Sequence, residues 1–243
     1  MEKLIYPLWR PEAQGADTFR DDLLAMGSTA LADARLRGLR IAVADGGVAA
    51  AAHRRMATTG FPTQGLPDAM LSAWVDSAGD RQVLEAALAP VVRQYCCYLV
   101  TEAEPLVNRA HPPAAGGRVP GMCQVVFLQR PGRLGEQEWL AIWKDSHTSI
   151  AIDTQSTFAY RQNVIERALS EDAPALDAMI EESFPAAAMS SDHAFYGVPD
   201  GDDAALQANL EAMLGSCARF IDFDRIEVIP MSEYVLKPLF AAP

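Results

Sequence analysis

The chain has 243 residues, of which 50% are hydrophobic and 21% are charged, and its formal net charge is −12. This composition is typical of a globular protein with a sizeable core, and the acidic balance argues against nucleic acid or an anionic membrane surface as a partner. No apolar run approaches the roughly 18–20 residues that span a bilayer, and the N-terminus lacks a signal-peptide pattern. We therefore expect a cytoplasmic protein.

The predicted elements of the first half alternate between strands and amphipathic helices. In chain order they are a strand at 4–9, a helix at 17–34, strands at 39–44 and 70–76, a helix at 80–93 and a strand at 98–102. The stretch 108–121 is rich in proline and glycine and reads as a linker. The sequence thus predicts one domain at 1–107 and a second at 122–238.

The second half repeats the same order of elements. Its predicted elements are a strand at 124–128, a helix at 137–152, a strand at 158–165, an extra short helix at 170–185, a strand at 193–198, a helix at 202–219 and a strand at 227–235. The extra helix would lie over the mouth of a pocket or form a surface excursion. Residues 1–33 also align without a gap to 121–153, with Arg10-Pro11 on Arg130-Pro131, which suggests a tandem duplication.

This repeated β-α-β-β-α-β order predicts an α+β fold of two ferredoxin-like units. Each unit covers one sheet face with two helices and leaves the other face open. Packed sheet to sheet, the two open faces would form an α/β barrel within one chain. A monomer would then be complete as a pseudo-dimer, and a homodimer remains an alternative.

The first predicted helix of the second half, in the stretch EQEWLAIWKDSHTSIA (136–151), places a histidine on its apolar side. Spacings of three and four put six residues on one stripe: Trp139, Ile142, Trp143, Ser146, His147 and Ile150. His147 is either a buried structural residue or the reactive group of a pocket, since an imidazole exchanges protons near neutral pH. The first half has Gly27 at the equivalent position and Leu23 in place of Trp143.

Motifs for metals and common cofactors are missing from the sequence. The histidines at 53, 111, 147 and 193 and the four cysteines, expected to be reduced thiols, show no ligand clustering. There is no Walker loop, no GxSxG, and the Gly pair at 45–50 lacks the GxGxxG spacing. The sequence predicts no cofactor and no metal, although His147 in an apolar pocket leaves haem ligation open.

The stretch RPGRLGEQEWLAIWKDSHTSIA resembles the signature of the EthD family, within the dimeric α/β-barrel superfamily. Trp143 and His147 match its Trp-x-x-x-His, and 191–214 resembles the later strand and helix of the family pattern. The resemblance covers about 120–236 well and 1–107 faintly. It implies a role in degrading ethers or other apolar compounds, and relatives in the superfamily include cofactor-free cyclases, dehydratases, isomerases and monooxygenases as well as haem-dependent enzymes.

From these features we expect a cofactor-independent lyase or isomerase, dehydratase-like or cyclase-like, that acts on a small apolar or aromatic oxygenated molecule. His147 would be the general acid/base. The expected pocket residues are Trp143, Tyr160, Gln162, His193, Tyr196, Tyr6 and Trp74. Two alternatives stay open: an oxidoreductase or accessory protein of an oxygenase degradation pathway, and a non-catalytic protein that binds a hydrophobic ligand.

Overall fold

Eight antiparallel strands of the chain close into one barrel with helices on its outside. The structure is a computed structural model and describes residues 1–58, 60–114 and 116–239. Around the ring the strands follow one another in the order 69–75, 36–43, 226–237, 122–128, 178–184, 159–168, 98–106 and 2–9, and the strand 2–9 pairs back with 69–75 to close the ring. The expected α+β barrel is confirmed at this level, and the closure takes place within a single chain.

The N-terminal half supplies strands β1 to β5 and two helices. They are β1 (Glu2–Trp9), α1 (Ala16–Ala30), β2 (Leu36–Val43), β3 (Ala69–Val75), α2 (Gln82–Leu88), the short β4 (Gln94–Tyr95) and β5 (Tyr98–Leu106). Short 3-10 helices lie at Gly46–Arg54 and Ala78–Arg81. The helices of this half pack on the outer face of the sheet, where apolar side chains of α1 contact apolar side chains of β1 and β3.

The C-terminal half supplies strands β6 to β9 and the remaining helices. They are β6 (Met122–Leu128), α3 (Glu136–Ala141), a π-helical turn (Ile142–His147), α4 (Thr148–Thr154), β7 (Ala159–Ala168), β8 (Ala178–Phe184), α5 (Asp192–Phe195), α6 (Asp203–Phe220) and β9 (Ile226–Lys237). The π-helical turn joins α3 and α4 without a break. Short 3-10 helices lie at Ala186–Met189 and Phe223–Arg225.

The two halves are joined edge to edge and not stacked face to face. Strand β2 pairs with β9, so that Arg40 lies opposite Val235, and β5 pairs with β7, so that Thr101 lies opposite Val164. Both halves therefore share one closed sheet, which removes the free strand edges that an open sheet would expose. Duplication of one ancestral unit and the domain boundaries stay predictions.

The barrel interior is apolar at one end and charged at the other. Trp9, Phe61 and Phe127 pack together at the apolar end. At the other end the guanidinium of Arg161 donates to Glu181 at 3.0 Å and to Glu233 at 2.7 Å. Because each of these buried charges has an opposite partner, the network offsets much of the cost of removing it from water. Paired charged side chains thus occupy the centre of this part of the interior.

The prediction for residues 170–198 is wrong in two places. The third strand of the C-terminal half is β8 at Ala178–Phe184, inside the predicted extra helix, and the predicted strand at 193–198 contains α5. Every residue of β8 is buried, although it includes Glu181 and Glu182. Adjacent glutamates are unusual in a central strand, and this masked the strand signal. The other predicted elements are present with shifted ends.

No helix in the described part of the chain is long and apolar enough to cross a membrane.

Candidate functional site

A cavity of about 660 Å³ lies between helix α6 and the outer face of the C-terminal half of the sheet. Helix α6 is anchored by its C-terminal turns, where Ser216, Cys217 and Phe220 are buried. Nearer its N-terminus, Leu206 and Leu210 line the cavity and are only partly buried. The helix therefore forms a wall that stands off the sheet, and a space remains beneath it.

The N-terminal half closes one side of this cavity. Its segment after β2 crosses to the other half, where Met56 pairs with Val228 of β9. Arg54 donates to the Ala188 carbonyl at 2.9 Å and to Asp192 at 2.8 Å. Both residues of this segment line the cavity. The site is therefore built by the two halves together.

The π-helical turn places His147 on the cavity. The turn ends with a backbone N–H of Thr148 bonded to the Trp143 carbonyl, which also accepts from the Thr148 hydroxyl at 2.9 Å. Such turns are rare and often occur at functional sites. His147 is 4% exposed, and its ring centroid lies 4.6 Å from that of Phe220. The helix thus presents the imidazole to the space under α6.

The two ring nitrogens of His147 differ in their surroundings. Nδ1 lies 3.0 Å from the Ser216 hydroxyl on α6, whereas Nε2 makes no hydrogen bond with any described residue. Burial, together with the nearby positive charge of Arg219, lowers the pKa of His147 to about 4. At neutral pH the ring is therefore uncharged, with one nitrogen left for a ligand.

Glu182 on β8 is a second ionisable group at this cavity. Its side chain is 6% exposed overall and has no hydrogen bond or ion pair with the described residues. Burial raises the pKa of this carboxyl to about 8, because an unpaired charge is costly in an apolar environment. Glu182 is therefore mostly protonated at neutral pH, and it gains or loses its proton at a pH only slightly above neutral.

Polar side chains flank Glu182 on both neighbouring strands. Gln124 of β6 and Tyr160 of β7 lie directly opposite it in register, and both line the cavity. The Tyr160 hydroxyl accepts a hydrogen bond of 2.9 Å from the Trp143 indole. These residues form a polar row across the cavity floor, and most of the remaining lining is apolar.

The same row in the N-terminal half is apolar. Ala73 of β3 takes the register position of Glu182 and lies between Leu4 and Leu39. Gly27 on α1 is the residue that aligns in sequence with His147. A side chain at this position would collide with Leu236. This half is filled by packed side chains, so the described chain has the polar row on one side only.

The structure brings together three of the residues predicted for the pocket. His147, Tyr160 and Tyr196 line the cavity. Trp143 and Gln162 do not line the cavity but lie next to residues that do. Trp143 donates to the Tyr160 hydroxyl, and Gln162 donates to the Thr148 hydroxyl at 2.7 Å.

Three other predicted pocket residues do not line the cavity. His193 sits beside the entrance, 3.1 Å from Asp203. Tyr6 faces the helices of the N-terminal half. Trp74 faces the barrel interior, with its ring 4.6 Å from the Lys3 ammonium. Strand alternation turns Trp74 to the interior, whereas Tyr6 lies on the outer face of the other half of the barrel.

Sequence reasoning missed Glu182, Ser216 and Arg54. Glu182 was hidden by the wrong assignment of 170–185. Once β8 is known, alternation places it on the face of Ala178 and Ile180, where a carboxyl among apolar neighbours would have been a signal. Ser216 and Arg54 carry no local signal, since each contacts its partner across a long stretch of sequence.

No family model and no curated protein matches this chain. Its similarity to solved structures extends over most of its length. It covers 100% of this chain and 96% of an anthrone oxidase-like protein, at 13% identity and a TM-score of 0.49. A dye-decolorizing peroxidase from Bacteroides thetaiotaomicron VPI-5482 matches 96% of this chain over 93% of its own, at 9% and 0.48. A mutant chlorite dismutase from Candidatus Nitrospira defluvii matches 98% over 91%, at 9% and 0.45.

At this level of similarity the names of those proteins assign no activity to this chain, and membership of the EthD family stays a prediction. In the described part of the chain no three His, Cys, Asp or Glu side chains cluster as metal ligands.

Proposed function

We propose that the cavity binds a small apolar compound with a carbonyl oxygen and moves a proton at the carbon next to it, as a cofactor-independent isomerase or lyase. One observation carries this proposal: Glu182 is a buried carboxyl without a protein partner, on the same cavity as the free Nε2 of His147. A buried polar group that the protein leaves unpaired costs stability. Proteins keep such groups where function needs them.

Glu182 is the proton-transfer group in this proposal. A carboxyl with a pKa of about 8 is well placed to take up and release protons near neutral pH. The sequence alone predicts this role for His147. With a pKa of about 4, however, that imidazole is a weak base and acts better as a neutral hydrogen-bonding group. A carboxylate base paired with a neutral imidazole is a known arrangement for enolisation.

The chemistry follows from these two roles. The Glu182 carboxylate takes the proton from the carbon beside the carbonyl, and the electron pair of the broken C–H bond moves onto the carbonyl oxygen. Return of the proton to another carbon completes an isomerisation. If a hydroxyl leaves from the β-carbon and takes the proton from Glu182, the result is a dehydration. The apolar side chains around the polar floor lower the local dielectric, which strengthens each polar contact with the reacting oxygen.

The test is deuterium exchange. α-Tetralone, an aromatic ketone, is incubated with the protein in heavy water, and NMR follows the loss of the proton next to the carbonyl. We expect Glu182→Gln to slow exchange by about 10²–10⁴-fold. Glu138→Gln, at an exposed site on α3, is the control and should leave it unchanged. Equal exchange rates in wild type and Glu182→Gln would disprove the role of Glu182.

The same experiment separates the two alternatives. Oxygen consumption is recorded in parallel, because a carbanion formed in the cavity is also the species that an oxygenase would offer to molecular oxygen. Uptake that depends on Glu182 would favour the oxidoreductase alternative. Saturable binding of the ketone without exchange and without oxygen uptake would favour a carrier.

A further inference from the structure

Hydrogen bonds connect Arg219, at the surface of α6, through Ser216 to His147. Arg219 donates to the Ser216 hydroxyl at 3.1 Å and to the Ser146 hydroxyl at 2.8 Å. The Ser216 oxygen in turn lies 3.0 Å from Nδ1 of His147. The contact joins α6 to the π-helical turn, and Ser216 is 3% exposed.

Counting protons along these hydrogen bonds decides which nitrogen of His147 carries the hydrogen. Arginine has no acceptor, so its bond to Ser216 uses a lone pair of the serine oxygen. The single proton of Ser216 has no other acceptor in the described part of the chain. Donated to Nδ1, it satisfies every group. If Nδ1 donated instead, the buried Ser216 proton would be left without a partner.

We infer that Ser216 and Arg219 fix the proton of His147 on Nε2, so that the cavity offers an N–H donor and selects ligands whose polar atom is a hydrogen-bond acceptor. The inference takes the identity of the site from the proposed function and adds the class of ligand. The positive charge of Arg219 also keeps the ring neutral, because it disfavours a second proton on the imidazole. Ser216 and Arg219 are thus positioning residues.

The ligand class follows from this donor. A neutral, largely apolar compound with a carbonyl oxygen presents an acceptor to Nε2–H and matches the apolar lining. A hydrocarbon of the same shape lacks that bond, and a compound whose only polar group is an N–H would place two donors against each other. One neutral hydrogen bond of typical net strength corresponds to about a tenfold difference in Kd.

The first test is nitrogen NMR of the His147 ring at neutral pH, assigned with a His147→Gln variant. We expect a protonated Nε2 and an Nδ1 with the shift of a hydrogen-bonded acceptor. Ser216→Ala should move the Nδ1 signal toward that of an unbonded nitrogen. Ser149→Ala, which removes an exposed hydroxyl two residues further along the helix, should leave both signals unchanged. A proton on Nδ1 in the wild type would overturn the inference, and that spectrum is decisive even if a variant does not fold.

The second test is binding of three ring compounds of similar size. We expect the wild type to bind α-tetralone about tenfold more tightly than tetralin or indole. In Ser216→Asp the new carboxylate accepts from Nδ1–H, which leaves Nε2 without a proton. The preference should then shift from α-tetralone to indole. Equal wild-type affinity for α-tetralone and tetralin would contradict the inference.

Neither test requires turnover, so the two proposals fail separately. A cavity that prefers α-tetralone but shows no deuterium exchange would overturn the proposed function and support the donor at Nε2. Exchange that depends on Glu182 in a protein with the proton on Nδ1 would overturn only the inference about the tautomer.

Discussion

Glu182 and Ala73 occupy the same register position in the two halves of one closed barrel. Each lies on the strand that is central to its half and pairs with a strand on either side. The neighbours of Ala73 are Leu4 and Leu39, and those of Glu182 are Gln124 and Tyr160. The same place in the fold is thus part of a packed core in one half and part of the polar floor of a largely apolar cavity in the other.

Replacing Glu182 should stabilise the protein. Its folded-state pKa of about 8 lies above the ordinary value of 4.5, so the folded state holds more protons than the unfolded state between these two values. Stability therefore falls as the pH rises from about 4.5 to 8. We expect Glu182→Gln to remove that slope and to gain on the order of 3 kcal/mol at pH 7. Urea unfolding at several pH values measures this, and an unchanged slope would contradict it.

The reciprocal change in the other half should be damaging. Ala73 is fully buried among apolar side chains, so Ala73→Glu places a carboxyl in an apolar core. We expect a loss of more than about 3 kcal/mol in the free energy of unfolding. Ala212→Glu, at an exposed position of α6, is the control and should change stability little.

The pH dependence of deuterium exchange should report the ionisation of Glu182. As a base it must be deprotonated, so the rate should rise with pH and level off above about 8. A rate that falls above this value would mean that Glu182 donates the proton. If the rate instead has its midpoint near the ordinary histidine pKa of about 6.5, His147 is the proton-transfer group. That result would contradict both the role of Glu182 and the lowered pKa of His147.

The charged barrel interior should matter for stability and not for ligand binding. Arg161 faces away from the cavity and pairs with Glu104, Glu181 and Glu233. Arg161→Met removes the cation that Glu181 and Glu233 share and leaves each with one other partner, Lys3 or Arg40. We therefore expect a loss at the lower end of the roughly 3–5 kcal/mol that breaking a buried ion pair costs. Thermal and urea unfolding give the loss, with the exposed Arg167→Met as the control. A folded Arg161→Met protein should keep its Kd for α-tetralone.

Filling the cavity from α6 should block binding. Leu210 lies on the inner side of the helix and lines the cavity, whereas Ala208 is exposed. We expect Leu210→Trp to abolish measurable α-tetralone binding and to raise the thermal midpoint, since added apolar contacts fill empty space. Ala208→Trp should bind as the wild type does. Titration calorimetry checks both, and equal affinities would place the ligand elsewhere.

The sequence by itself determined the elements whose periodicity records a single buried face. The stripe of Trp139, Trp143 and His147 predicted a helix with the imidazole turned inward, and the order of strands and helices predicted the barrel. Local spacing is sufficient for this, because side-chain direction follows directly from position along a helix or strand.

Tertiary structure alone decided the rest of the site. Strand β8 is buried on both faces, with Glu181 paired inside the barrel and Glu182 turned to the cavity, so its sequence shows no alternation of polar and apolar residues. The contact between Ser216 and His147 spans 69 positions, and the cavity itself exists because only the C-terminal turns of α6 have buried residues. These features arise from how separate elements pack together, and no local pattern of residues encodes contacts between elements that are far apart in the sequence.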